Sequence, residues 1–587
     1  MPLWIRLRTL WQDDETHFLA LTKHFFHQFF ENEFVSRGSE ARLTIVHVLA
    51  LLGIPPIIYT LYLIQSYDFI WWNYPWRYPT VSLIDHCRYI TLSMVVIGFV
   101  AILEWDALFL DRRDYAILSP LPLKAPTIFT AKIAALLLFL SLFIVDVGGV
   151  PTFLYPLVET MGIYGSHVSL LRFCDMIVAH AVAVFGSSTF IFLFFVAVQG
   201  LLINFLRARA FKIVSLGIQV LAMVALLLLL FLLPITSTLV PAWERARGAG
   251  FFWFPPLWFV GLYQTLLGSG DAAFHSLAKT AVMALGLVTL ACVAGYVVSY
   301  KRHTQRALEA VEAHAGEPSW LGGAARWILN RLVLRKPLER ATFFFVVNTF
   351  VRSTKHRLYL ATYVGVGFAL AAFGILEVLV HTARRDFSVV LIQPNQASLA
   401  IPLILSFFLL SGMRTVFAVP AELRANWVFQ LAEDESRLDC CAGARKAMVA
   451  AAISLFLLLF PVYAVLWGWP PAFQHVIFSL MLSLILVELL LMNFRKIPFT
   501  CSYQPGKANI TVLGVFYWVA FTTYAYSMAT LERWLLEDEG RWFVFFVFTV
   551  VVFGGLVWWR KTMLVDGLGI VYEDEPNPEV QTLGLGA

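Results

Sequence analysis

Long apolar runs alternate with shorter polar stretches along most of the chain. A run of roughly 20 apolar residues is enough to cross a bilayer, and about twelve such runs are present. They lie near 43–64, 89–108, 128–149, 178–205, 211–234, 279–299, 357–380, 397–418, 447–468, 474–493, 510–531 and 542–559. The pattern therefore predicts an all-α polytopic integral membrane protein with about 12 transmembrane helices.

The order of elements in the first half of the chain recurs in the second half. Residues 343–358 resemble residues 25–43, because both are rich in aromatic residues and end in the Arg-Leu pair that opens the next apolar run. An even number of spans per half preserves orientation, so we predict two parallel six-helix repeats. The predicted domains are an interfacial amino-terminal segment 1–42, a first half 43–300, a cytoplasmic linker 301–340, a second half 341–560 and a cytoplasmic tail 561–587.

In each half, one polar stretch follows the second apolar run. Residues 104–127 and 419–446 combine charged, aromatic and proline residues. Such stretches must lie at the membrane surface, because charges and unpaired backbone groups are too costly in hydrocarbon. They are either ordinary solvated loops or coupling elements that a partner protein grips. For the second reading, the candidate docking residues are Asp111, Arg112, Arg113, Asp114, Tyr115, Leu118, Glu422, Arg424, Trp427 and Phe429.

Composition and charge agree with a membrane protein. Only 14% of the residues are charged and 59% are apolar, whereas a soluble domain has roughly 25% charged residues. The formal net charge of +5 is too small to favour a nucleic-acid partner. Basic residues gather in the connections on one side of the predicted spans, so the positive-inside rule places both termini in the cytoplasm. We expect the plasma (inner) membrane.

The sequence carries little recognisable chemistry. Its only Gly-Lys pair, Gly506-Lys507, lacks the glycine and the Ser or Thr of a phosphate loop. The six cysteines have no spacing typical of zinc. We therefore predict no catalytic residue, no metal site and no cofactor in this chain, and we do not expect an enzyme.

Ionisable residues inside predicted spans are the remaining candidates, because burying them is costly. The set is His47, Asp146, Asp175, His180, Glu377, His381 and Glu488. Glu488 has the most apolar flanks, and we favour pairing with a polar group of a neighbouring helix over a proton or substrate site. Asp146 precedes Gly148-Gly149-Val150-Pro151, which predicts a place near the outer surface.

The first surface stretch carries a family resemblance. Its motif residues resemble the membrane subunits of ATP-binding-cassette exporters, the type-two permease family. The residues are Asp111, Asp114, Leu118, Ser119, Pro120, Leu121, Pro122, Ala131 and Lys132, with Pro256 and Trp258 as weaker support. Members of that family have an interfacial amino-terminal helix, six spans, a coupling element after the second span and re-entrant helices before the sixth. The resemblance implies that two such halves are fused in this chain, of which the second matches only in outline, because it lacks the proline pair and the long outer connection.

The resemblance implies a separate nucleotide-binding ATPase subunit that carries ATP and Mg and docks on both coupling elements. It also implies contact with membrane lipids, and it leaves open a homodimer. The expected function is export of an unidentified substrate, for which the aromatic spans permit a lipid or hydrophobic compound. Two alternatives remain: an ion-coupled secondary transporter, and a membrane assembly protein that transports nothing.

Overall fold

The computed structural model describes most of the chain. The described ranges are 17–29, 39–109, 125–161, 169–206, 208–234, 253–309, 334–381, 394–421, 433–492, 496–500 and 510–565, with positions 114, 117, 118, 120, 123, 236, 237, 240, 241 and 494. All regular secondary structure in these residues is helical. Ten of their helices are long and apolar enough to cross a membrane, which confirms an all-α polytopic membrane protein.

The chain divides into two compact units after His314, within the stretch predicted as a linker. In the first unit α1 covers 17–28, and it is followed by α2 (Ser39–Asn73), α3 (Tyr78–Leu103), α4 (Ala125–Met161), α5 (Leu170–Phe205), α6 (Ala208–Phe231), α7 (Pro255–Leu266) and α8 (Ala272–Glu309). Five of these helices are candidate spans, namely α3, α4, α5, α6 and α8.

The second unit follows a similar order. Its helices are α9 (Pro337–Arg352), α10 (Thr354–His381), α11 (Gln396–Val416), α12 (Glu433–Trp467), α13 (Trp469–Leu491), α14 (Ile510–Thr522), α15 (Met528–Leu535) and α16 (Glu539–Val565). A π-helical turn, Thr523–Ser527, joins α14 to α15 without a break. The candidate spans here are α10, α11, α12, α13 and α16.

One helix lies at the centre of each unit. The apolar stretches of α3 and α11 are each 72% buried, more than those of the other candidate spans. In the first unit α3 packs against α4, α5, α6 and α7. In the second, α11 packs against α12, α13, the π-helical turn and α15. The last helices are peripheral, and only 6% of the apolar stretch of α16 is buried, so its apolar surface suits contact with lipid.

The structure corrects two predicted boundaries in the first unit. Residues 65–88 were expected to form an outer connection, yet α2 continues to Asn73 and α3 begins at Tyr78. Similarly, α4 continues through Gly148 and Pro151 to Met161. Polar residues in 78–88 resemble a loop in sequence, but Tyr78, Ser82 and Asp85 form hydrogen bonds with neighbouring helices. Glycine and proline are tolerated in a membrane helix whose neighbours support it.

The helix α7 confirms the short helix expected before the last span of the first unit. Its 12 residues are fewer than the roughly 20 needed to cross a bilayer. It forms a hairpin with α8, and Gly261 makes the close approach: a Cβ there would overlap Leu277 and lie 2.9 Å from the Phe274 carbonyl oxygen. The buried face of α7 includes Tyr263, which points toward the cluster described below.

Candidate functional site

The first stretch predicted to be a coupling element begins with buried residues directly after α3, which we call its root (residues 105–109). Trp105 is 1% exposed, and its indole N–H donates to Ser215 Oγ of α6 at 2.9 Å. Gln199 of α5 donates its side-chain amide to the Trp105 carbonyl oxygen at 2.6 Å. These bonds join the start of the element to two spanning helices, because a buried indole and a buried carbonyl both need a partner.

A third helix, α8, holds the next residues of this root. Tyr296 donates to the Leu108 carbonyl oxygen, and its ring stacks on Phe109 with 4.5 Å between centroids. The backbones of α5 and α8 can approach because glycines meet at the crossing: a Cβ on Gly200 would lie 3.5 Å from the Cα of Gly295. Displacing residues 105–109 therefore requires moving α5, α6 and α8 as well.

The helix α1 docks beside the same element. Phe25 and Phe29 are buried and flank the ammonium of Lys132 on α4, at 4.9 and 4.8 Å from the ring centroids. Gln28 lies between two charges. Its amide N–H donates to Asp114 at 3.0 Å, and its oxygen accepts from Lys132 at 3.3 Å. Asp114 therefore ties the coupling element to α1 and α4.

In the second unit α9 docks on α12 in a comparable place. Glu339 is 5% exposed and pairs with Lys446 near the start of the third span. Gly443 lies under α9: a Cβ there would come within 2.6 Å of the Glu339 carbonyl oxygen and 2.8 Å of the Thr342 side chain. In each unit a helix thus contacts a lysine of a spanning helix, through Gln28 and Lys132 of α4 or through Glu339 and Lys446 of α12.

Backbone hydrogen bonds of Phe499 fix residues 417–421, where the second stretch predicted to be a coupling element begins. The Phe499 N–H donates to the Phe417 carbonyl and the Phe499 carbonyl accepts from Ala421 N–H, both at 2.9 Å. Phe499 has φ +65°, a left-handed conformation that is costly for a non-glycine residue. His356 bridges the same segment through its contact with the Val419 carbonyl at 3.0 Å. The rings around Phe499 are those of Phe345, Phe350, His356 and Phe417.

Two of the predicted docking residues lie among the described residues. Leu118 is 9% exposed and Asp114 is 8% exposed, so the rest of the protein covers most of both side chains. Ile117 is 67% exposed instead. The sequence could not distinguish these neighbours, because both Ile117 and Leu118 are apolar. The other predicted docking residues, Asp111, Arg112, Arg113, Tyr115, Glu422, Arg424, Trp427 and Phe429, lie outside the described residues.

The carboxylate of Glu488 lies near one end of its helix rather than in the middle of the membrane. It is 2% exposed and comes three residues before the end of α13 at Leu491. Arg445 of α12 donates to it at 3.0 Å, and Arg560 Nε of α16 lies 3.1 Å from its other oxygen. Two cations thus compensate one carboxylate, as expected of a structural charge.

Asp146 occupies the middle of α4, fifteen residues before that helix ends at Met161. The helix therefore does not end at Gly148–Pro151 as the sequence suggested. The Asp146 carboxylate faces α2 at Gly53, where a Cβ would come within 3.0 Å of Asp146 Oδ1. The other oxygen, Oδ2, is buried and has no hydrogen-bond partner among the described residues.

A second site, which sequence reasoning missed, is a buried polar cluster in the first unit. It lies at the end of the unit where Trp72 and Trp76 are 73% and 71% exposed, as in an aromatic belt. Five helices, α2, α3, α4, α5 and α7, contribute to it. The members are Tyr59, Thr60, Tyr67, Tyr78, Ser82, Asp85, His86, Arg88, Tyr89, Tyr155, Glu159, His180 and Tyr263.

Two carboxylates organise this polar cluster. Asp85 accepts from the Tyr59 hydroxyl at 2.6 Å and from Arg88 at 3.1 Å. Glu159 accepts from the Ser82 hydroxyl at 2.5 Å and from the Tyr263 hydroxyl at 3.4 Å. Burial, and then the charge of Glu159, raise the pKa of Tyr263 well above its usual range, so this phenol remains a donor.

Two histidines lie between these carboxylates. His86 Nδ1 donates to the Ser82 carbonyl at 2.8 Å, and its buried Nε2 has no hydrogen-bond partner among the residues that the structure describes. His180 is 1% exposed, and neither of its ring nitrogens has a partner in the described part of the chain. The two rings lie 5.5 Å apart. Unpartnered buried histidines are costly, so this pair is the strongest candidate here for binding or relaying a proton.

The second unit has a smaller counterpart. His475 of α13 bonds to Glu532 of α15 at 2.6 Å, and both side chains are fully buried. The Tyr463 ring of α12 packs on His475 at 4.9 Å, just as Tyr155 packs on His180 at 5.3 Å. Each unit therefore places a tyrosine of one spanning helix on a histidine of the next spanning helix along the chain.

The fold and these sites define a class, namely all-helical polytopic membrane proteins with buried polar contacts at both ends of the helices. Within the described residues, no three His, Cys, Asp or Glu side chains are arranged to hold a metal ion. Comparison of the chain with protein-family models, with curated proteins and with solved structures finds no match.

Proposed function

We propose that the chain is the permease of an ATP-driven exporter in the plasma membrane, powered by a separate nucleotide-binding ATPase. The observation that carries this proposal is the anchoring of both coupling elements. Trp105, Leu108 and Phe109 are buried against three helices of the first unit, and Phe499 holds residues 417–421 of the second. A partner that pushes on either element would therefore move spanning helices. A push on an ordinary solvated loop would not move them.

The route for force in the first unit is short. Ile117 offers an exposed apolar contact, and Asp114 nearby is bonded to Gln28. Gln28 in turn contacts Lys132 on α4, so a displaced element would pull α1 and α4 together. Apolar anchors at the centre of an interface often carry much of its binding energy. We therefore assign the docking contact to Ile117 rather than to Leu118.

The proposal includes two parallel six-helix repeats, with α2 and the continuous α14–α15 helix as the remaining two spans. Support comes from the recurring neighbours of α3 and α11 and from the paired Tyr-His contacts. ATP and Mg would be bound by the partner alone. The substrate remains unidentified, and a lipid or hydrophobic compound suits the aromatic spans.

A purification tests the exporter proposal. A nucleotide-binding ATPase should co-purify with the chain in mild detergent, and the chain should stimulate its ATP hydrolysis. Ile117→Asp should lower binding or stimulation by at least several-fold, whereas Ile117→Val should not, because it keeps the apolar contact. Failure to recover any ATPase, or full coupling in Ile117→Asp, contradicts the proposal. A partner without ATPase activity would instead indicate an assembly protein.

An ion-coupled secondary transporter is the second candidate, and the buried histidine pair favours it. His86 Nε2 and the ring nitrogen of His180 that carries no hydrogen can each accept a proton, in a site rich in tyrosine hydroxyls. The two proposals differ in energy source. Proton uptake driven by a pH gradient in ATPase-free vesicles, abolished by His180→Gln, would support ion coupling. An unchanged proton flux in that variant would remove the candidate.

A further inference from the structure

A single carboxyl group lies in the apolar middle of the helix α4. The candidate span extends from Pro126 to Thr160, and Asp146 is close to its midpoint. The nearest charged residues of α4 itself are Lys132 and Glu159, which are both more than ten residues away in the sequence. A carboxylate at this depth is costly unless a partner compensates its charge, so the position of Asp146 needs a physical reason.

No cation compensates Asp146 among the described side chains. Its Oδ2 is buried and has no hydrogen-bond partner there. Next to this part of α4, at Gly148, the helix α5 presents the apolar side chains of Val184 and Phe185. The polar cluster meets α4 only at Tyr155, roughly 14 Å further along the helix. That cluster holds the titratable residues of α3 and α5 that lie near α4, namely Asp85, His86, Arg88 and His180.

Asp146 faces a turn of α2 in which one carbonyl has lost its helical donors. Its Oδ1 would lie 3.0 Å from a Cβ on Gly53, and Pro55 and Pro56 follow inside the same helix. The Leu52 carbonyl would normally accept from an N–H three or four residues further on. Both of those residues are prolines, which have no N–H. In a membrane, a neighbouring helix has to supply a donor for such a carbonyl.

We propose that Asp146 is a proton-binding site inside the membrane, in which the protonated carboxyl donates a hydrogen bond to the Leu52 carbonyl of α2. Binding a proton removes the costly charge, and the resulting O–H group satisfies the carbonyl that the prolines leave without a donor. The side chain of Asp146 is only half-buried, so the proton can be exchanged. The site would exist whichever energy source drives transport.

Proton binding at Asp146 would fasten α2 to the rest of the first unit. The helix α2 packs mainly on α4 and much less on α3. The protonated acid adds a hydrogen bond to this contact. Loss of the proton would instead place an unpaired carboxylate against Gly53 and the Leu52 carbonyl, where no described group donates to it. We therefore expect the α2–α4 contact to be weaker when Asp146 is ionised.

Two titratable residues of α2, His47 and Tyr59, are each six residues from Gly53 in the sequence. Six residues correspond to roughly 9 Å along a helix and to a different face. Tyr59 donates to Asp85. The side chain of His47 lies outside the described residues, so a variant has to test it. An ionised His47 would pair with a carboxylate, whereas the proposed site holds an uncharged acid.

Infrared difference spectroscopy detects the proton directly. The spectrum of the protein in phosphatidylcholine nanodiscs at neutral pH, minus that of Asp146→Asn, should contain the C=O stretching band of a protonated carboxylic acid. Deuterium oxide should shift this band. Asp146→Asn keeps the size of the side chain and can still donate to Leu52, so it should fold. The matched control is Glu488→Gln, which should remove only carboxylate bands, because two arginines pair with Glu488.

Three further variants identify the acceptor of the hydrogen bond. Pro56→Ala restores an N–H four residues after Leu52, so the acid band should move to a higher frequency, as in a less strongly hydrogen-bonded acid. Pro156→Ala changes a proline of α4 ten residues from Asp146 and should leave the band where it is. His47→Leu should also leave it unchanged. Raising the pH should replace the acid band with carboxylate bands, because a binding site must also release its proton.

Three outcomes overturn the proposal. The first is the absence of an acid band at neutral pH, which would mean that Asp146 is ionised; loss of the same carboxylate bands in His47→Leu would then identify an ion pair. The second is an acid band that persists at every pH at which the protein stays folded, since the group would then be structural. The third is an unchanged band frequency in Pro56→Ala, which would remove Leu52 as the acceptor.

Discussion

Each unit has its own central helix, but the two units differ in which helix their first long helix packs against. In the first unit α2 packs along α4, whereas in the second α10 packs along α11. The neighbours of the central helices α3 and α11 otherwise recur. The comparison indicates that the central helix and its contacts are the constant part of each unit, while the first helix is free to take a different partner.

The units also differ in how the polar groups buried around their histidines are paired. The first unit has a cluster drawn from five helices, in which His180 has no hydrogen bond in the described chain. The second has one compact pair, in which His475 Nδ1 and Glu532 Oε1 bond to each other, while His475 Nε2 and Glu532 Oε2 have no partner among the described residues. A site that keeps unpartnered buried groups is more costly than a paired one, so the first unit is the better candidate for function.

The largest expected effect concerns these histidines. His475→Leu leaves the buried carboxyl of Glu532 without its partner and should destabilise the protein by about 3–5 kcal/mol. His180→Leu removes no hydrogen bond to any described residue and should be close to neutral. Thermal unfolding of the detergent-solubilised variants compares them directly.

A double variant serves as the control for that comparison. His475→Leu combined with Glu532→Leu removes both partners, so it should recover most of the lost stability. If His180→Leu is as destabilising as His475→Leu, the first unit holds a hidden partner for His180. The proposed contrast between an unpartnered and a paired histidine would then be wrong.

A smaller effect is expected from replacing one glycine in each unit, because the two glycines differ in how closely they are packed. Gly261→Ala forces α7 away from α8, because the new Cβ would overlap Leu277, and should cost about 1–3 kcal/mol. In the second unit Gly554 of α16 faces open space, so Gly554→Ala should be neutral or stabilising by up to about 1 kcal/mol. Equal melting temperatures for the two variants would contradict the tight α7–α8 contact.

The smallest effect concerns the roots of the coupling elements. The root in the first unit depends on side-chain hydrogen bonds, and that in the second on the Phe499 backbone. Trp105→Phe keeps the ring but loses the bond to Ser215, and should cost about 1–2 kcal/mol while lowering any ATPase coupling. Phe499→Asn introduces a residue that also tolerates φ +65°, so the backbone conformation is kept and only the ring contacts are lost. A coupling defect should appear in both variants if both roots transmit force.

The sequence predicted the helical class and the surface elements, but it failed where polar residues are buried. Asp85 and His86 looked like loop residues, since their partners Tyr59 and Tyr155 are distant in the chain and belong to other helices. The apolar flanks of Glu488 hid its position near the end of α13. A spacing rule describes one helix at a time, whereas these sites form only when several helices meet.

The polar first turns of α3 have a consequence for biosynthesis. Asp85 and Arg88 lie in the half of α3 that emerges first from the ribosome, and charged residues oppose insertion of an isolated helix into lipid. Their partners come from α2, already synthesised, and from Thr236, which is synthesised later. The helices α2 and α3 must therefore enter the bilayer together as a hairpin. Their remaining polar contacts form only after later helices are synthesised. A nascent chain that stops after α3 should be poorly integrated and an early substrate for membrane proteases.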